Sequence, residues 1–575
     1  MGVDETIDGR KNLSRRRFLA GSAAAGSLPL SVGWMTPSDS GASFQPPGFP
    51  DSIELYQRRY QNWSGEITVN RVWTCVPRTS QDVVTVANWA QASGYTIRPR
   101  GYQHNWSPLT ITTHDTKVIL VDTTRHLRSM RIESRSPASV RVQTGASMEE
   151  LLGFLERHGY GMAATPASGE LSIGGVLAID GHGTAVPADG EIPVPGHTYG
   201  SLSNLVVSLT AVVWDQTRGS YVQRVFDRAH PHCTAFLTHL GRAFLTEVTL
   251  RVGVHTHLRC LSRVDIPAAE LFSGGDSAKR TFASFVEQSG RVEAIWFAFT
   301  SNPWLKVWSI SRRKPLLSRP AITPYNYVFT DNIPKPVAEL AGLIVSGRPH
   351  LAPTFGQLQY DVTAAGLTTT QSTDLWGPAK NLLLYVKPTT LRVRANGYAI
   401  LTSRTDLQRV VHEFTMFYQE RLAAYAAQNK FPVNGAVEIR VTGLDVAADV
   451  DVAGAEPPAL SVVRPRPDRP NWDVAVWFDV LTLPGTAHAN EFYREFEQFL
   501  FRSYPGTSAT IRPEWSKGWA YTTDGAWADR ILLTEAIPDL YRTGPGPTWD
   551  WAVSMLDAYD PHQIFSNPFI AALLC

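Results

Sequence analysis

One stretch near the first fifth of the chain constrains the fold more than any other. A β-type run over 95–99 leads straight into the nine residues 100–108, which end in a proline that prevents helix formation. Gly101 lets the backbone approach a ligand without a Cβ in the way. The free amide groups of such a loop can bind phosphate or carbonyl oxygens, and His104 would project beside that ligand. The alternative is a surface turn that carries an ordinary histidine.

A glycine-rich run follows at 172–184, after the short segment Gln143-Thr144-Gly145-Ala146. Gly174, Gly175, Gly181 and Gly183 remove side chains where phosphates would approach backbone N–H groups. The run therefore predicts a pyrophosphate site, whereas the alternative is a glycine cluster that serves packing. Since no Gly-x-Gly-x-x-Gly motif lies between a strand and a helix, a dinucleotide-binding Rossmann unit is not indicated.

In order and spacing, residues 70–252 resemble the flavin-binding domain of the vanillyl-alcohol oxidase family. The resemblance implies an α+β, two-domain fold, in which an FAD-binding α+β domain is joined to a substrate-binding (cap) domain with a large antiparallel sheet flanked by helices. It also implies that His104 is bonded covalently to the 8α-methyl group of FAD. The other cofactor-binding residues that it implies are Arg100, Gly101, Tyr102, Gln103, Asn105, Trp106, Ser107, Pro108, Thr144, Gly145, Thr165, Pro166, Ser172, Ile173, Gly174, Gly175, Gly181, His182, Gly183, Thr246, Val248 and Asn567.

The length of 575 residues is too great for one core. We expect a signal segment at 1–45, the FAD-binding domain at 46–255, the cap domain at 256–535 and a return to the FAD-binding domain at 536–575. The balance of 53 basic and 52 acidic residues gives no electrostatic case for nucleic acid. Four cysteines at 75, 233, 260 and 575 have neither metal-site nor disulfide spacing. We expect no bound metal, and we expect the protein to be a monomer.

The first residues carry a targeting pattern. Arginines at 15–17 precede Phe18-Leu19 and an apolar run to Val32, which is too short to span a bilayer. The pattern resembles a twin-arginine export signal, so we expect a secreted protein, exported folded with its cofactor and without an integral membrane segment once mature. A disordered basic tail is the alternative.

Periodicity predicts the elements of both domains. Expected helices span 82–92, 148–158 and 406–428. A loop or insertion is expected at 446–471. Expected strands span 117–121, 139–143, 205–210, 211–213, 244–252, 292–299, 305–310, 382–386, 437–442 and 474–481.

Glu438 and Arg440 are two apart in a predicted strand, so their side chains share one face of a sheet. A surface ion pair, which is worth little, is the alternative. Related sugar-alcohol oxidases and covalent-flavin cholesterol oxidases carry a Glu-x-Arg pair over the flavin. That resemblance implies that Arg440 stabilises a developing alkoxide or anionic flavin. It also implies that Glu438 holds or releases Arg440 and gates oxygen access.

Two further carboxylates are candidates for proton transfer. Glu293 stands alone before an apolar run, where it could take the hydroxyl proton, move a proton between carbons, or be an exposed strand end. Glu514 and Ser516 occur where sugar-type members commonly have His and Gly, and this difference weakens the case for a sugar substrate. A mostly apolar wall would suit a flat substrate with one hydroxyl, although a domain core also explains such residues. The aromatic candidates are Trp296, Phe297, Phe299, Trp304, Trp308, Tyr325, Tyr327 and Phe329.

With Glu293, Glu438, Arg440 and Glu514 in this order, the chain most resembles the covalent-flavin bacterial cholesterol oxidases. That implies oxidation of a 3β-hydroxysteroid by FAD and O2, with release of hydrogen peroxide and a shift of the C5 double bond to C4. Which carboxylate is the base stays open. The alternatives are a sugar-alcohol or aldonolactone oxidase on the same fold, and a secreted flavin- or steroid-binding protein without turnover.

Overall fold

The computed structural model describes residues 45–275, 279–327, 334–387, 390–544 and 546–574. The predicted signal segment and Cys575 lie outside these ranges. Across them, no helix combines the length and the apolar character needed to cross a membrane. The other three cysteines are buried and unpaired.

Two sheets form the first part of the chain. The four-stranded sheet has the order β1-β2-β4-β3, and the five-stranded sheet has the order β5-β6-β10-β8-β9. Their strands are β1 (Glu54–Gln61), β2 (Thr68–Val76), β3 (Thr96–Arg100), β4 (Val118–Asp122), β5 (Met130–Arg135), β6 (Ala138–Gln143), β8 (Val206–Asp215), β9 (Ser220–Asp227) and β10 (Phe244–Arg251); a small pair joins β7 (Tyr160–Gly161) to β11 (Gly253–Val254).

Helices cover these sheets, and their ends follow from local sequence. Thr79 and Asp82 form a capping box at the start of the first helix, which Gly94 ends at φ 66°. Ser147 and Glu150 cap the second helix in the same way. The helices of this part are Ser80–Ser93, Met148–Arg157, Ile173–Ala178 and Cys233–Leu237, with a 3-10 turn at Leu202–Leu205.

A nine-stranded sheet dominates the second part. Its order is β15-β16-β12-β14-β13-β18-β19-β17-β20, and every neighbouring pair is antiparallel except β15 with β16. Its strands are β12 (His257–Arg263), β13 (Arg291–Phe297), β14 (Trp304–Ile310), β15 (Arg319–Pro320), β16 (Asp374–Pro378), β17 (Arg394–Thr402), β18 (Ala436–Gly443), β19 (Val474–Thr482) and β20 (Thr510–Pro513).

Helices flank the nine-stranded sheet, and the chain then returns to the first part. Ile97 N donates to Ile564 O at 2.8 Å, and Asn567 Nδ2 donates to Pro108 O at 3.0 Å. These contacts hold the C-terminal residues against β3 and the loop that follows it. The helices of the second part are Ala268–Leu271, Phe282–Ser289, Lys335–Val345, Ala352–Thr369, Ala379–Leu383, Leu407–Ala426, Ala489–Ser503, Ile537–Tyr541, Trp549–Tyr559 and Pro568–Leu573; Pro349–Leu351, Arg404–Asp406 and Ala447–Val450 are 3-10 turns, and Leu532–Ala536 is a π turn.

The α+β architecture with a large, mostly antiparallel cap sheet is confirmed, and most predicted elements are present within two residues of their expected ends. Two expectations are wrong. The strands expected at 205–210 and 211–213 are one strand, β8. Where a strand was expected at 382–386, the structure has the helix Ala379–Leu383. The prediction failed because a short apolar run that is fully buried shows no periodicity that distinguishes a helix from a strand.

Candidate functional site

A cavity of about 470 Å³ lies between the loops of the first part and the nine-stranded sheet. The predicted site residues that line it include Glu438, Arg440 and Glu514. On the opposite wall they are Arg100, Gly101, Tyr102, Gln103, His104, Asn105, Trp106, Ser107, Thr144, Pro166, Ser172, Gly174, Gly175, Gly181 and His182.

The loop after β3 presents unpaired amides to this cavity. Within the described residues, the backbone N–H groups of 101–104 donate to no protein acceptor. Gln103 has φ 62°, and its side chain holds this conformation because it accepts from Arg100 at 3.0 Å and donates to Gln61 O at 3.0 Å. Consecutive free amides in such a turn form a concavity that binds anions. These residues therefore fit the pyrophosphate of FAD.

His104 lies at the cavity wall between two indole rings. Its ring stacks on Trp63 at 4.0 Å between centroids and meets Trp106 edge-on at 5.8 Å. Burial, with the nearby cations Lys517 and Arg392, lowers the pKa of His104 to about 3. The imidazole is therefore neutral at physiological pH and retains a lone pair with which it could form a bond to carbon.

The glycines of the 172–184 run have a packing role that the sequence prediction underweighted. A Cβ on Gly181 would meet Val176 Cγ1 at 2.5 Å, and one on Gly183 would meet Thr165 N at 2.5 Å. The amides of Gly174 and Gly181 already donate to Thr144 O and Val176 O. A Cβ on Gly101 would meet Ser172 Oγ at 2.3 Å, so the two loops need this glycine to approach each other.

Eight of the predicted cofactor residues stand behind the cavity wall. Thr144, which does line the cavity, donates its hydroxyl to Leu245 O at 2.7 Å, next to Thr246. Asn567 caps the last helix and accepts from Ile570 N at 2.8 Å. Residues of this group support the loops rather than form the lining: Pro108, Gly145, Thr165, Ile173, Gly183, Thr246, Val248 and Asn567.

A charged cluster faces the loops from the middle of the sheet. Strand register places Arg440 opposite Glu293 on β13, and Glu438 opposite Asp479 on β19. Arg440 hydrogen-bonds Asp479 and lies 3.7 Å from Glu514 Oε2. In the described part of the chain Glu438 forms no ion pair with Arg440, so the expectation that Glu438 holds this arginine is corrected: Asp479 does so.

Burial in this cluster shifts proton affinities. It raises the pKa of Asp479 to about 7 and that of Glu438 to about 7, although Arg440 opposes both shifts. The charges of Asp479 and Glu514 raise the pKa of Arg440 against the effect of burial, so the guanidinium stays charged. Lys517 Nζ adds a second cation, 3.7 Å from Asp479 and 4.0 Å from the Trp106 ring centroid.

Several polar atoms of the cluster have no hydrogen-bond partner within the described residues. They are Arg440 Nε, Asp479 Oδ1 and Glu514 Oε2, all buried. Buried polar atoms ordinarily have hydrogen-bond partners. Unpaired atoms beside a cavity that also offers free amides fit a polar cofactor ring and a substrate hydroxyl.

Glu293 is not the lone carboxylate that the sequence suggested. It is 2% exposed and does not line the cavity. Its Oε2 accepts from Tyr385 OH at 2.6 Å and lies 3.6 Å from Lys306 Nζ. Tyr385 does line the cavity, so the route from Glu293 to a ligand passes along this tyrosine.

Many of the side chains that line the cavity are apolar. Of the eight predicted aromatic residues, Phe297, Trp304 and Tyr327 line it, and Phe329 lies outside the described residues. Trp296, Phe299, Trp308 and Tyr325 pack elsewhere. Further apolar lining comes from Ile295, Val337, Phe355, Val362, Leu391, Leu481 and Leu483.

Sequence reasoning missed four residues of the site: Asp479, Lys517, Lys306 and Tyr385. The signal for Asp479 is visible afterwards, because it is the one charge in the apolar run of β19. Lys306 likewise interrupts the apolar strand β14. A charge within a fully apolar strand needs a buried partner, and that rule would have selected both.

Two family models match this chain. The model described as the cholesterol oxidase substrate-binding domain matches residues 257–575, and the model described as an FAD binding domain matches residues 74–217. A solved structure of a solvent-stable cholesterol oxidase is 52% identical, with a TM-score of 0.91 over 92% of this chain and 100% of that one. The cholesterol oxidase of Brevibacterium sterolicum is 47% identical, with a TM-score of 0.91 over 92% of this chain and 99% of that one.

Curated relatives are more distant. A D-arabinono-1,4-lactone oxidase of Candida glabrata is 27% identical over 154 residues, which are 27% of this chain and 27% of that protein. The enzyme of the same name from Eremothecium gossypii is 28% identical over 250 residues, 43% of this chain and 40% of that protein. This chain therefore matches less than half the length of either curated relative.

Proposed function

This chain belongs to the cholesterol oxidase family, and on that premise we propose how its site oxidises a 3β-hydroxysterol and then moves the sterol double bond. The observation that carries the proposal is the lining of one cavity. The loop of 101–104 with its free amides, an apolar chamber of side chains, and Arg440, which is held by Asp479, all contribute to it. A sterol has one hydroxyl on a rigid apolar body, and it fits such a chamber.

FAD, when bound, accepts the hydride and passes electrons to O2, which gives hydrogen peroxide. The amides of 101–104 would hold its pyrophosphate. His104 would carry the covalent bond to FAD, since the imidazole is neutral and held by Trp63. A covalent bond would also prevent loss of the cofactor from an exported enzyme.

Arg440 stabilises the substrate oxygen as the hydroxyl loses its proton, because a fixed cation in a dry site favours a developing alkoxide. Its Nε has no protein partner within the described residues, and Asp479 fixes the other side of the guanidinium. Glu514 takes the hydroxyl proton, since it lines the cavity and its Oε2 has no hydrogen-bond partner within the described residues. Glu438, beside Arg440 on the same strand, gates oxygen access. Glu293 serves the proton shift between carbons.

The remaining parts of the proposal concern the whole protein. We infer a monomer, exported through the twin-arginine route by the segment at 1–45, with an FAD-binding domain at 46–255, a cap domain at 256–535 and a C-terminal return at 536–575. The contacts of Ile564 with β3 and of Asn567 with the loop after β3 support the last of these boundaries.

A two-substrate assay tests the function. Purified protein mixed anaerobically with cholesterol should lose its yellow colour, and peroxide should appear when air is admitted. Xylitol and sorbitol are the matched controls, because the apolar chamber leaves a polyol without partners for most hydroxyls. Bleaching by the polyols but not by cholesterol would instead establish a sugar-alcohol oxidase, and bleaching by neither would indicate a binding protein.

A further inference from the structure

Lys306 is the least expected residue of the cap domain, because its ammonium is buried inside a ring of aromatic side chains. Its side chain is 0% exposed, and its Nζ has no hydrogen-bond partner within the described residues. The Tyr385 ring centroid lies 2.9 Å from Nζ, and the rings of Trp308, Tyr327 and Trp304 lie at 4.7, 5.1 and 5.2 Å. A desolvated ammonium of this kind is costly unless it compensates a charge.

The charge that Lys306 compensates is Glu293. The two residues stand directly opposite each other on β14 and β13, and Nζ lies 3.6 Å from Oε2. The same oxygen accepts from Tyr385 OH at 2.6 Å. Lysine, carboxylate and phenol thus form one continuous chain, of which Tyr385 is the member that lines the cavity.

The three side chains of Lys306, Glu293 and Tyr385 lie apart from the cluster that binds the substrate oxygen. Neighbouring strands are about 4.8 Å apart, so β13, next to β18 in the sheet order, is about 5 Å from Arg440 and about 10 Å from β19. Tyr385 packs with Trp304 and Tyr327 in the aromatic wall of the apolar chamber. A sterol whose 3-oxygen is at Arg440 would bring its first two rings, and not that oxygen, to Tyr385.

We propose that Tyr385, Glu293 and Lys306 form a proton relay for the double-bond shift, in which Tyr385 contacts the sterol, Glu293 stores the proton and Lys306 compensates the charge of the carboxylate. The C4–H bond breaks, and its proton passes to Tyr385 Oη as the phenol's own proton moves to Glu293. The reverse transfer forms the C6–H bond while the double bond moves from C5–C6 to C4–C5. No electrons are gained or lost.

Other groups around the relay fit this assignment. Burial, followed by the charges of Glu293 and Glu438, raises the pKa of Tyr385 well above its ordinary value, so the phenol gives up its proton only as it receives another. Burial lowers the pKa of Lys306, and Glu293 opposes that effect. The titratable and charged groups near Glu293 are Lys306 on β14, Tyr385 after the helix Ala379–Leu383, Glu438 and Arg440 on β18, and Cys260 on β12. Tyr327 faces Lys306.

The test separates the two half-reactions, and it rests on the proposed sterol oxidation. A saturated 3β-hydroxysterol reports oxidation alone, by peroxide. Cholest-5-en-3-one reports the double-bond shift alone, by absorbance of the conjugated enone. Tyr385→Phe should slow the shift about 100-fold at every pH, which is the usual contribution of a positioned proton donor, and should change oxidation less than about threefold. Tyr418→Phe also removes a buried hydroxyl, one without a protein partner in the described chain, and should leave both rates unchanged.

Two outcomes would overturn the relay. If Tyr385→Phe regains the shift at high pH, Glu293 acts directly on the sterol. If Lys306→Met leaves the pH profile of the shift unchanged, Lys306 does not compensate the charge of Glu293; the relay requires the acidic limb of that profile to move to higher pH. Should Lys306→Met fold poorly, the double variant Lys306→Met with Glu293→Gln removes the unpaired buried charge. That double variant must fold, but it must not regain the double-bond shift. Failure of the proposed function is distinct, since the unchanged enzyme would then release no peroxide from the saturated 3β-hydroxysterol.

Discussion

Gly397 decides how closely the charged groups of the site pack, and its replacement by alanine is the sharpest test of that geometry. Gly397 lies on β17 opposite Asp479. A Cβ there would stand 2.5 Å from Asp479 Oδ1, 2.8 Å from Lys517 Cγ and 2.9 Å from Glu514 Oε2. These distances are about 0.6 to 1.0 Å inside the ~3.5 Å at which nonbonded atoms pack best. The methyl group must therefore displace the carboxylates that position Arg440.

The expected effect of Gly397→Ala is on chemistry more than on folding. A displacement of about 1 Å in a catalytic group costs about 100-fold in rate, while one excess methyl in a packed region costs about 1–3 kcal/mol of stability. Stopped-flow flavin reduction by cholesterol should therefore slow about 100-fold, with FAD content unchanged.

Gly342→Ala is the matched control for this substitution. Gly342 lies in the helix Lys335–Val345, where a Cβ meets nothing within 4 Å. It should leave the rate unchanged and raise stability by about 0.5–1 kcal/mol. A normal reduction rate in Gly397→Ala would refute the view that the contact between Asp479 and Arg440 sets catalytic geometry.

Three other changes test separate parts of the site. His104→Ala should fold and turn over slowly, but acid precipitation should release its FAD into the supernatant; yellow colour that stays in the pellet would assign the bond to another residue. Arg440→Ala should lower kcat for flavin reduction about 100- to 1000-fold with a much smaller change in KM, and equal losses in both would mean that Arg440 binds sterol without acting on the developing alkoxide. Glu438→Gln should weaken the pH dependence of stability. The folded-state pKa of Glu438 is raised from 4.5 to about 7, so its contribution to stability is present at pH 4 and is lost as pH rises through 7. Between pH 5 and 8, the free energy of unfolding of the unchanged protein should therefore fall by up to roughly 3 kcal/mol more than that of the variant. Parallel urea-unfolding curves at the two pH values would contradict that sign.

The elements of this fold were predictable because each depends on local pattern. Capping pairs such as Thr79 with Asp82 and alternating runs such as β18 are written in consecutive residues. The helix Ala379–Leu383 was not predictable, since a short run of buried leucines has the same appearance in a helix or a strand.

The partners within the site were a different problem, because they depend on strand register. The two-residue period of β18 places Glu438 and Arg440 on one face, but it does not say which strands lie alongside. The distance between Arg440 and Asp479 is set by β18 pairing with β19, 39 residues later in the chain. The sequence pair Glu-x-Arg therefore suggested an ion pair within one strand, whereas the fold formed one between two strands.

The same register would let one sheet serve the two proposed proton transfers separately. Three consecutive strands, β14, β13 and β18, present Lys306, Glu293 and Arg440 in one row, so the charges alternate along it. Each cation belongs mainly to a different carboxylate: Lys306 to Glu293, and Arg440 to Asp479. Glu293 is hydrogen-bonded to Tyr385, which lines the cavity, while Glu514 lines the cavity itself and lies near Arg440. In the proposed mechanism, the proton taken from the hydroxyl and the proton moved between carbons would therefore have separate acceptors. If both acceptors were the same carboxylate, the hydroxyl proton would have to leave before the second transfer could begin. Two acceptors allow the double-bond shift to follow oxidation while the product is still bound.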